Sequence, residues 1–238
     1  MSAGAWEAIE RAEGGTLYLV ATPIGNARDI TLRALDVLAT SDLVACEDTR
    51  RTRTLLARYG VRPRLATCHE HNERRAAERL ARELAAGRSV ALVSNAGTPL
   101  LSDPGFPVVR AALEAGARVV SLPGPCAAVA ALVASGLAVH RFLFLGFAPK
   151  KPGARRRLLE GAREEAGTLL LYESARRLAA LLVEAHDALG DRRACVLREM
   201  TKLHEEARRG TLSELAAWAA SAGEIPGEVT VAIAGLAR

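Results

Sequence analysis

The chain has 238 residues, a length that allows one large domain or two compact ones. Half of the residues are hydrophobic and a quarter are charged, as in an ordinary globular protein. No apolar run approaches the roughly 20 residues that cross a bilayer, and the first 15 residues lack the apolar region of a signal peptide. The four cysteines form no C-x-x-C pair, so we expect free thiols rather than a zinc site or disulfides. These features predict a cytoplasmic protein without a membrane partner.

The net charge of +5 permits a polyanionic partner but does not establish one. Only three of the 32 basic residues are lysine, and this bias indicates genome composition more than chemistry. The charge alone therefore favours nucleic-acid binding only modestly.

From residue 16 onward, short β-branched runs alternate with amphipathic stretches. Strands are predicted at 16–21, 43–46, 90–93, 118–122, 141–147, 168–172, 194–198 and 228–234. Helices are predicted after Thr31, at 52–59, from Asn72 to Gly87, at 107–115, at 126–135 and after the capping box Thr211-x-x-Glu214. This alternation predicts an α/β fold with a parallel, layered sheet.

The segment Pro123-Gly124-Pro125 is the best candidate for a domain boundary, because two prolines around a glycine stop any regular element. We therefore expect an N-terminal tail at 1–15, an N-terminal α/β domain at 16–123 and a C-terminal α/β domain at 124–238.

Three loops rich in glycine and proline follow predicted strands, at 22–26, 94–105 and 123–127. In open α/β sheets, ligands bind outside the carboxyl ends of the strands. Gly97 lets a ligand approach the backbone, and Ser94, Asn95 and Thr98 supply short hydrogen-bonding groups. Any one such loop is explained as well by turn chemistry, but three in equivalent places favour a ligand site.

These loops lack the fingerprints of several enzyme classes. None matches the G-x-G-x-x-G of dinucleotide-binding folds or the G-x-x-x-x-G-K-[ST] phosphate loop. The chain also lacks a G-x-S-x-G nucleophile elbow. The sequence therefore argues against a dehydrogenase, a kinase and a hydrolase.

Glu47-Asp48-Thr49-Arg50 follows the second predicted strand. Its carboxylates would orient a hydroxyl, and Arg50 and Arg51 would hold phosphates. The alternative is a helix N-terminus capped by Asp48, and both interpretations can hold together.

Cys68-His69-Glu70-His71-Asn72 suggests a metal site, but it lacks zinc-motif spacing, and the two histidines would point to opposite faces of an extended segment. We predict no metal and prefer a substrate-contacting loop, with a plain surface loop as the alternative.

The densest basic run comprises Lys150, Lys151 and three consecutive arginines at 155–157. Such a run is usually the solvated start of a helix. In an RNA-binding protein it would instead contact phosphates. The candidate RNA-binding residues are Arg50, Arg51, Lys150, Lys151, Arg155 and Arg156.

Taken in order, the motifs resemble one family. The chain is similar to the ribosomal RNA small subunit methyltransferase I family, within the tetrapyrrole methylases, from about residue 16 to residue 235. The resemblance is carried by Thr22-Pro23-Ile24-Gly25-Asn26, Glu47-Asp48-Thr49-Arg50, Ser94-Asn95-Ala96-Gly97-Thr98-Pro99, Ser102-Asp103-Pro104-Gly105, Pro123-Gly124-Pro125-Cys126-Ala127, Gly146-Phe147-Ala148-Pro149-Lys150, Tyr172-Glu173-Ser174 and Arg198-Glu199-Met200-Thr201-Lys202.

The resemblance implies two α/β domains, the first with a mostly parallel sheet and the second with a mixed one, and S-adenosylmethionine in the cleft between them. The implied activity is 2′-O-methylation of a cytidine in the decoding region of small-subunit ribosomal RNA, on RNA or a ribosomal particle, by a homodimer. The implied cofactor contacts are Pro23, Ser94, Asn95, Ala96, Gly97, Thr98, Cys126, Ala127, Tyr172, Arg198, Pro226 and Gly227.

The chain departs from the family pattern at two positions. Members usually carry Asp where this chain has Asn95, so no negative charge is offered to the cofactor there. Pro226 stands where Lys is more common, which removes a basic RNA contact.

A ribose hydroxyl is a poor nucleophile, so a proton acceptor would help the transfer of a methyl group. Glu47 and Asp48 are the first candidates for this catalytic role, ahead of Asp103. Two alternatives stay open: an enzyme of this fold acting on a tetrapyrrole or another small molecule, and a non-catalytic RNA-binding module.

Overall fold

A computed structural model of the chain describes residues 6–223 and 225–236; residues 1–5 of the predicted tail lie outside the described residues. The chain divides into two compact units, Met1–Cys126 and Ala127–Arg238. This division lies three residues after the boundary that the prolines indicate. Each unit has its own sheet.

The N-terminal unit is built around a parallel sheet of five strands in the order β3-β2-β4-β1-β5. Its elements are β1 (Thr16–Val20), α1 (Leu32–Thr40), β2 (Leu43–Cys46), α2 (Thr49–Ala57), β3 (Leu65–Thr67), α3 (Glu73–Ala85), β4 (Val90–Val93), α4 (Phe106–Glu114) and β5 (Arg118–Leu122). Because all five strands run the same way, the loops that follow them share one edge of the sheet.

Helices cover both faces of this sheet. Leu35 and Leu56, on α1 and α2, belong to one apolar core, and Leu80 and Val108, on α3 and α4, belong to the other. Strands covered on both faces bury all their side chains. This explains why β2 and β4 are continuous apolar runs with every residue buried.

Several local signals act as the sequence predicts. The Thr31 hydroxyl caps α1 by accepting a hydrogen bond from Ala34 N, and the Asp48 carboxylate caps α2 by accepting one from Arg50 N. Because Asp48 is the cap, α2 begins at Thr49, three residues earlier than predicted. The short strand β3 was not predicted.

The described part of the N-terminal segment packs onto the N-terminal unit. Trp6 lies against the core, and its indole Nε1 donates to Asp36 Oδ1 at 2.8 Å. The buried Asp36 carboxylate also accepts from the backbone N–H groups of Ile9 and Glu10. Residues 6–15 are therefore held against the N-terminal unit by packing and hydrogen bonds.

The C-terminal unit holds a mixed sheet in the order β6-β7-β10-β8-β9. Its elements are α5 (Ala127–Ser135), β6 (Phe142–Phe147), α6 (Pro152–Gly161), β7 (Thr168–Ser174), α7 (Leu178–Leu189), β8 (Arg193–Arg198), β9 (Glu206–Thr211), α8 (Leu212–Ser221) and β10 (Glu228–Ile233). Among the described strands of this unit, only β6 and β7 pair in parallel, and the other pairs are antiparallel. The predicted fold class is confirmed in both units.

The core of the C-terminal unit joins α6, α7 and α8 to the sheet through leucines such as Leu159, Leu181 and Leu215. The capping box at Thr211 and Glu214 starts α8 as predicted. The edge strand β9 was not predicted. All four cysteines are free in the structure. Within residues 6–223 and 225–236, no helix has the length and hydropathy needed to cross a membrane.

Candidate functional site

The three strand-end loops of the N-terminal unit are joined by hydrogen bonds. Thr22 and Gly97 exchange backbone hydrogen bonds of 2.9 Å in both directions, which ties the loop after β1 to the loop after β4. The Thr98 hydroxyl donates to Pro125 O at 3.0 Å and so ties in the loop after β5. Gly97 has φ of 82°, and a Cβ there would stand 3.3 Å from Ile24, so glycine suits this junction.

A hydrogen bond between side chains links the ends of β2 and β4. The Asn95 amide Nδ2 donates to Glu47 Oε2 at 2.7 Å, and both side chains are half-buried. A carboxylate at position 95 would make this contact only if one of the two acids held a proton. The amide therefore suits an ionised Glu47.

Asp103 lies further along the loop that follows β4, where the backbone is strained. Leu100 and Ser102 have φ of 72° and 68°, in the left-handed region that non-glycine residues seldom adopt. Burial raises the pKa of Asp103 to about 6, the negative charge of Glu47 adds to the rise, and a hydrogen bond with Ser94 opposes it. A half-buried carboxyl group that titrates near neutrality is a reasonable proton acceptor.

Two neighbouring clefts open at this edge. One, of about 620 Å³, is lined by Pro23, Ile24, Gly25, Ala27, Asp48, Arg50, Arg51, Thr54, Leu55, Arg58, Asn95 and Ala96. The other, of about 590 Å³, is lined by Glu47, Asp48, Thr49, Arg50, Arg51, Thr67, His69 and Asn95. Both volumes lie in the range of small-molecule sites, roughly 300–1,000 Å³. The two clefts share Asp48, Arg50, Arg51 and Asn95.

Asp48 differs from Glu47 in its bonding. Its carboxylate caps α2, and the backbone hydrogen bond from Arg50 is the main cause that lowers the pKa of Asp48. A carboxylate with a lowered pKa is a weak base, so the structure favours Glu47 over Asp48 as a proton acceptor. The Arg50 and Arg51 side chains are exposed at both clefts, as phosphate contacts require.

The His69 to Asn72 segment is a turn rather than an extended strand. The opposite orientation that an extended segment would give therefore does not occur: the His69 and His71 rings lie 6.0 Å apart, edge to face. Among the described residues, no group of three or more His, Cys, Asp or Glu side chains is arranged to hold a metal.

In the C-terminal unit, Tyr172 is fixed at the end of β7. Its ring packs edge to face on Phe144 and Phe147, with centroids 4.9 and 5.4 Å away. Ala128 N, in the first turn of α5, donates to the Tyr172 hydroxyl at 3.0 Å. This bond holds the start of α5, and with it Ala127, against the end of β7.

The expected contacts Arg198 and Gly227 lie at a second strained loop. Glu199 and Thr201 have φ of 51° and 66°, and Gly227, at 99°, leaves room for Glu199, whose side chain a Cβ would strike. Arg198 is paired with Glu206 at 3.1 Å.

The other expected contact of this loop, Pro226, is exposed, and its carbonyl accepts a 3.3 Å hydrogen bond from Arg198 Nη1. Lys202 bridges Glu199 at 2.8 Å and Glu228 at 2.9 Å. These ion pairs hold the loop in its strained shape.

One predicted RNA contact is wrong. The Arg155 side chain is 4% exposed, and its guanidinium is paired with Glu184 on α7 through both Nε and Nη2. It therefore serves the fold of the C-terminal unit rather than a phosphate. Lys150, Lys151 and Arg156 are exposed, and Arg156 pairs with Glu160 one turn along α6.

Four residues of the larger cleft were not predicted from the sequence. Ala27 follows the first loop, Thr54 and Leu55 lie on α2, and Arg58 is the C-cap of α2. With Arg51, the last three follow a spacing of three, one and three residues, which places these four on one face of a helix. That spacing is the signal that would have found them.

Comparison with known proteins shows the family of the chain. The model of the tetrapyrrole (corrin/porphyrin) methylase family matches residues 16–216. The chain belongs to the tetrapyrrole methylase family.

Among curated proteins, ribosomal RNA small subunit methyltransferase I of Mesorhizobium japonicum is 53% identical over 218 residues, which cover 91% of this chain and 74% of that one. The protein of the same name from Pseudomonas aeruginosa is 49% identical, covering 93% and 79%. The predicted resemblance to that family is thereby confirmed.

Two solved structures share the fold. Uroporphyrin-III-C-methyltransferase from Thermus thermophilus matches with a TM-score of 0.65 and 23% identity, over 92% of this chain and 94% of that one. A cobalt precorrin-4 methyltransferase matches with a TM-score of 0.64 and 18% identity, over 92% and 95%. At these identities the likeness concerns the fold alone.

Proposed function

We propose that this protein transfers a methyl group from S-adenosylmethionine to small-subunit ribosomal RNA, at the ribose 2′-hydroxyl of a cytidine in the decoding region. The observation that carries the proposal is the 53% identity, over 91% of the chain, to a protein named for ribosomal RNA methylation. The clefts at the carboxyl ends of the parallel strands supply a site with suitable groups. A cytoplasmic homodimer acting on the RNA or on a ribosomal particle is part of the proposal.

The larger cleft has the chemistry that S-adenosylmethionine needs. Its volume of about 620 Å³ suits a ligand of that size, with Ile24 and Leu55 as apolar contacts for an adenine ring. The loop around Asn95 supplies polar groups for ribose and amino-acid atoms. We propose that, in the N-terminal unit, the cofactor is held by Pro23, Ser94, Asn95, Ala96, Gly97, Thr98 and Cys126.

When bound, this cofactor supplies a methyl group on a sulfonium, and transfer forms an O–CH3 bond while the S–CH3 bond breaks and leaves its electron pair on sulfur. The chain must align the hydroxyl and remove its proton. Glu47 is suited to accept that proton, since the Asn95 amide fixes its carboxylate at the neighbouring cleft. Asp103, coupled to Glu47 by charge, is suited to take the proton onward.

Exposed cations on each of the two units favour a polyanion as the acceptor. Arg50 and Arg51 border both clefts, and Lys150, Lys151 and Arg156 are exposed on the other unit. Each phosphate that such a residue neutralises adds affinity that falls as salt is raised.

The test is a transfer assay with labelled S-adenosylmethionine and small-subunit RNA, or subunits, from cells that lack the gene. We expect label on one cytidine ribose, and greatly reduced label with Glu47→Gln, which keeps the shape of the side chain but not its charge. Asp29→Asn, an exposed substitution outside both clefts, should leave the rate unchanged. Label on a uroporphyrinogen but none on RNA would contradict the proposal.

A further inference from the structure

Two unpartnered buried atoms lie in side chains of one cleft. Among the described residues, the buried side-chain polar atoms without a hydrogen-bond partner are His69 Nδ1, Asn95 Oδ1 and Glu173 Oε2. His69 and Asn95 both line the cleft of about 590 Å³. Buried polar groups are nearly always hydrogen-bonded, so two exceptions at one cleft need an explanation. A bound ligand that supplies donors would provide it.

The remaining lining of this cleft indicates the ligand class. Arg50 and Arg51 present exposed guanidinium groups, which suit a phosphate. Glu47 presents a carboxylate that suits a hydroxyl donor, and Thr49 and Thr67 add hydroxyl groups. The His69 ring, packed edge to face on His71, offers a planar surface for a base. A ligand that carries a phosphate, a hydroxyl group and an unpaired base is a nucleotide of a single strand.

We propose that this cleft binds the acceptor nucleotide, with His69 and Asn95 contacting it through their unpartnered atoms. The inference rests on the proposed function and deepens it. Arg50 and Arg51 hold the phosphate beside the nucleotide, and Glu47 accepts a hydrogen bond from the ribose hydroxyl. The hydroxyl proton passes to Glu47 as the O–CH3 bond forms.

Binding is the first arm of the test and needs no methyl transfer. A fluorescent single-stranded RNA oligonucleotide with the small-subunit decoding sequence is titrated against the full chain. We expect His69→Phe and Arg51→Ala each to weaken its binding about tenfold. Calorimetry with S-adenosylmethionine should give the wild-type affinity for His69→Phe, because His69 lines only the smaller of the two clefts. His140→Phe, which changes an exposed histidine of the other unit, is the matched control and should bind as wild type does.

The second arm is the kinetics of methyl transfer. For His69→Phe we expect a KM for RNA about tenfold higher than that of wild type, with kcat nearly unchanged. Unchanged RNA binding in His69→Phe and Arg51→Ala would overturn the assignment of the cleft. An equal loss of cofactor affinity in His69→Phe would also overturn it, because the cleft would then belong to the cofactor. A KM for RNA that His69→Phe leaves unchanged would overturn it as well.

Failure of the proposed function has a different signature, since wild-type protein would then label no RNA. The oligonucleotide arm still reports on the cleft in that case. Circular dichroism of each variant verifies that a loss of binding does not reflect unfolding.

Discussion

The titration of Asp103 connects the candidate site to the pH dependence of the unfolding free energy. Burial and the charge of Glu47 raise its pKa from 3.8 to about 6. Since the folded pKa lies above the unfolded one, the folded state holds this proton more tightly. The resulting stabilisation is complete below about pH 4 and is lost as the pH rises through about 6. Two pKa units correspond to at most about 3 kcal/mol, and we expect roughly 1–3 kcal/mol.

Asp103→Asn removes this titration. Relative to wild type, the variant should therefore gain about 1–3 kcal/mol of unfolding free energy between about pH 4 and pH 7.5. Trp6 packs in the N-terminal unit and the only other tryptophan is Trp218, so urea unfolding followed by fluorescence in a Trp218→Phe background reports on the correct unit.

Asp42→Asn is the matched control with the opposite sign. Hydrogen bonds from Ser89, first from its backbone N–H and then from its hydroxyl, lower the pKa of Asp42. The stabilisation that the Asp42 carboxylate provides is present above the ordinary pKa of Asp and is lost on acidification. Asp42→Asn should therefore lose stability relative to wild type as the pH rises from acid to neutral. If the unfolding free energies of Asp103→Asn and wild type instead differ by the same amount at every pH between about 4 and 7.5, the coupling between Asp103 and its surroundings is refuted.

Three further substitutions test the fold around the sites, each by urea unfolding of the full chain. Arg155→Met breaks the buried pair with α7 and should cost about 2–4 kcal/mol, whereas Arg156→Met on the exposed face should cost under about 0.5 kcal/mol; equal losses would contradict the buried role. Gly105→Ala should cost a few kcal/mol, because φ is 129° and the new Cβ would lie 2.7 Å from a leucine of β4. Gly116→Ala, with φ of 74° and open space, should cost only about 1 kcal/mol. Tyr172→Phe removes the acceptor for a backbone N–H of α5 and should cost about 1 kcal/mol; no loss would show that this bond contributes nothing.

The sequence predicted elements well where local chemistry determines them. Apolar runs marked β2, β4 and β5 with the bounds that the structure gives, and Thr31 and Thr211 marked helix starts through their caps. These signals depend on neighbours within a few residues, so a single sequence contains them.

Elements held by distant contacts were missed. The strand β9 has the sequence EARRGT, which suggests an exposed segment. It is held by pairing with β8 and by Arg208, which lies over the ring of Trp218 at 4.5 Å. Charged residues on an edge strand also protect it from pairing with other chains. Nothing local in the sequence reports these partners.

The candidate site shows the same limit. Motif order identified Glu47, Asn95 and Asp103, but the hydrogen bond from Asn95 to Glu47 joins residues 48 positions apart. The burial of Arg155 was hidden for the same reason, since its partner Glu184 lies on another helix. Composition distinguishes charged from apolar residues but does not reveal which charges meet a partner.

The central claim is tested most directly by mapping ribose methylation on small-subunit RNA from cells that lack this gene. We expect one cytidine in the decoding region to lose its 2′-O-methyl group, and a plasmid carrying the wild-type gene to restore it while one carrying Glu47→Gln does not. A map that is unchanged by loss of the gene would contradict the account.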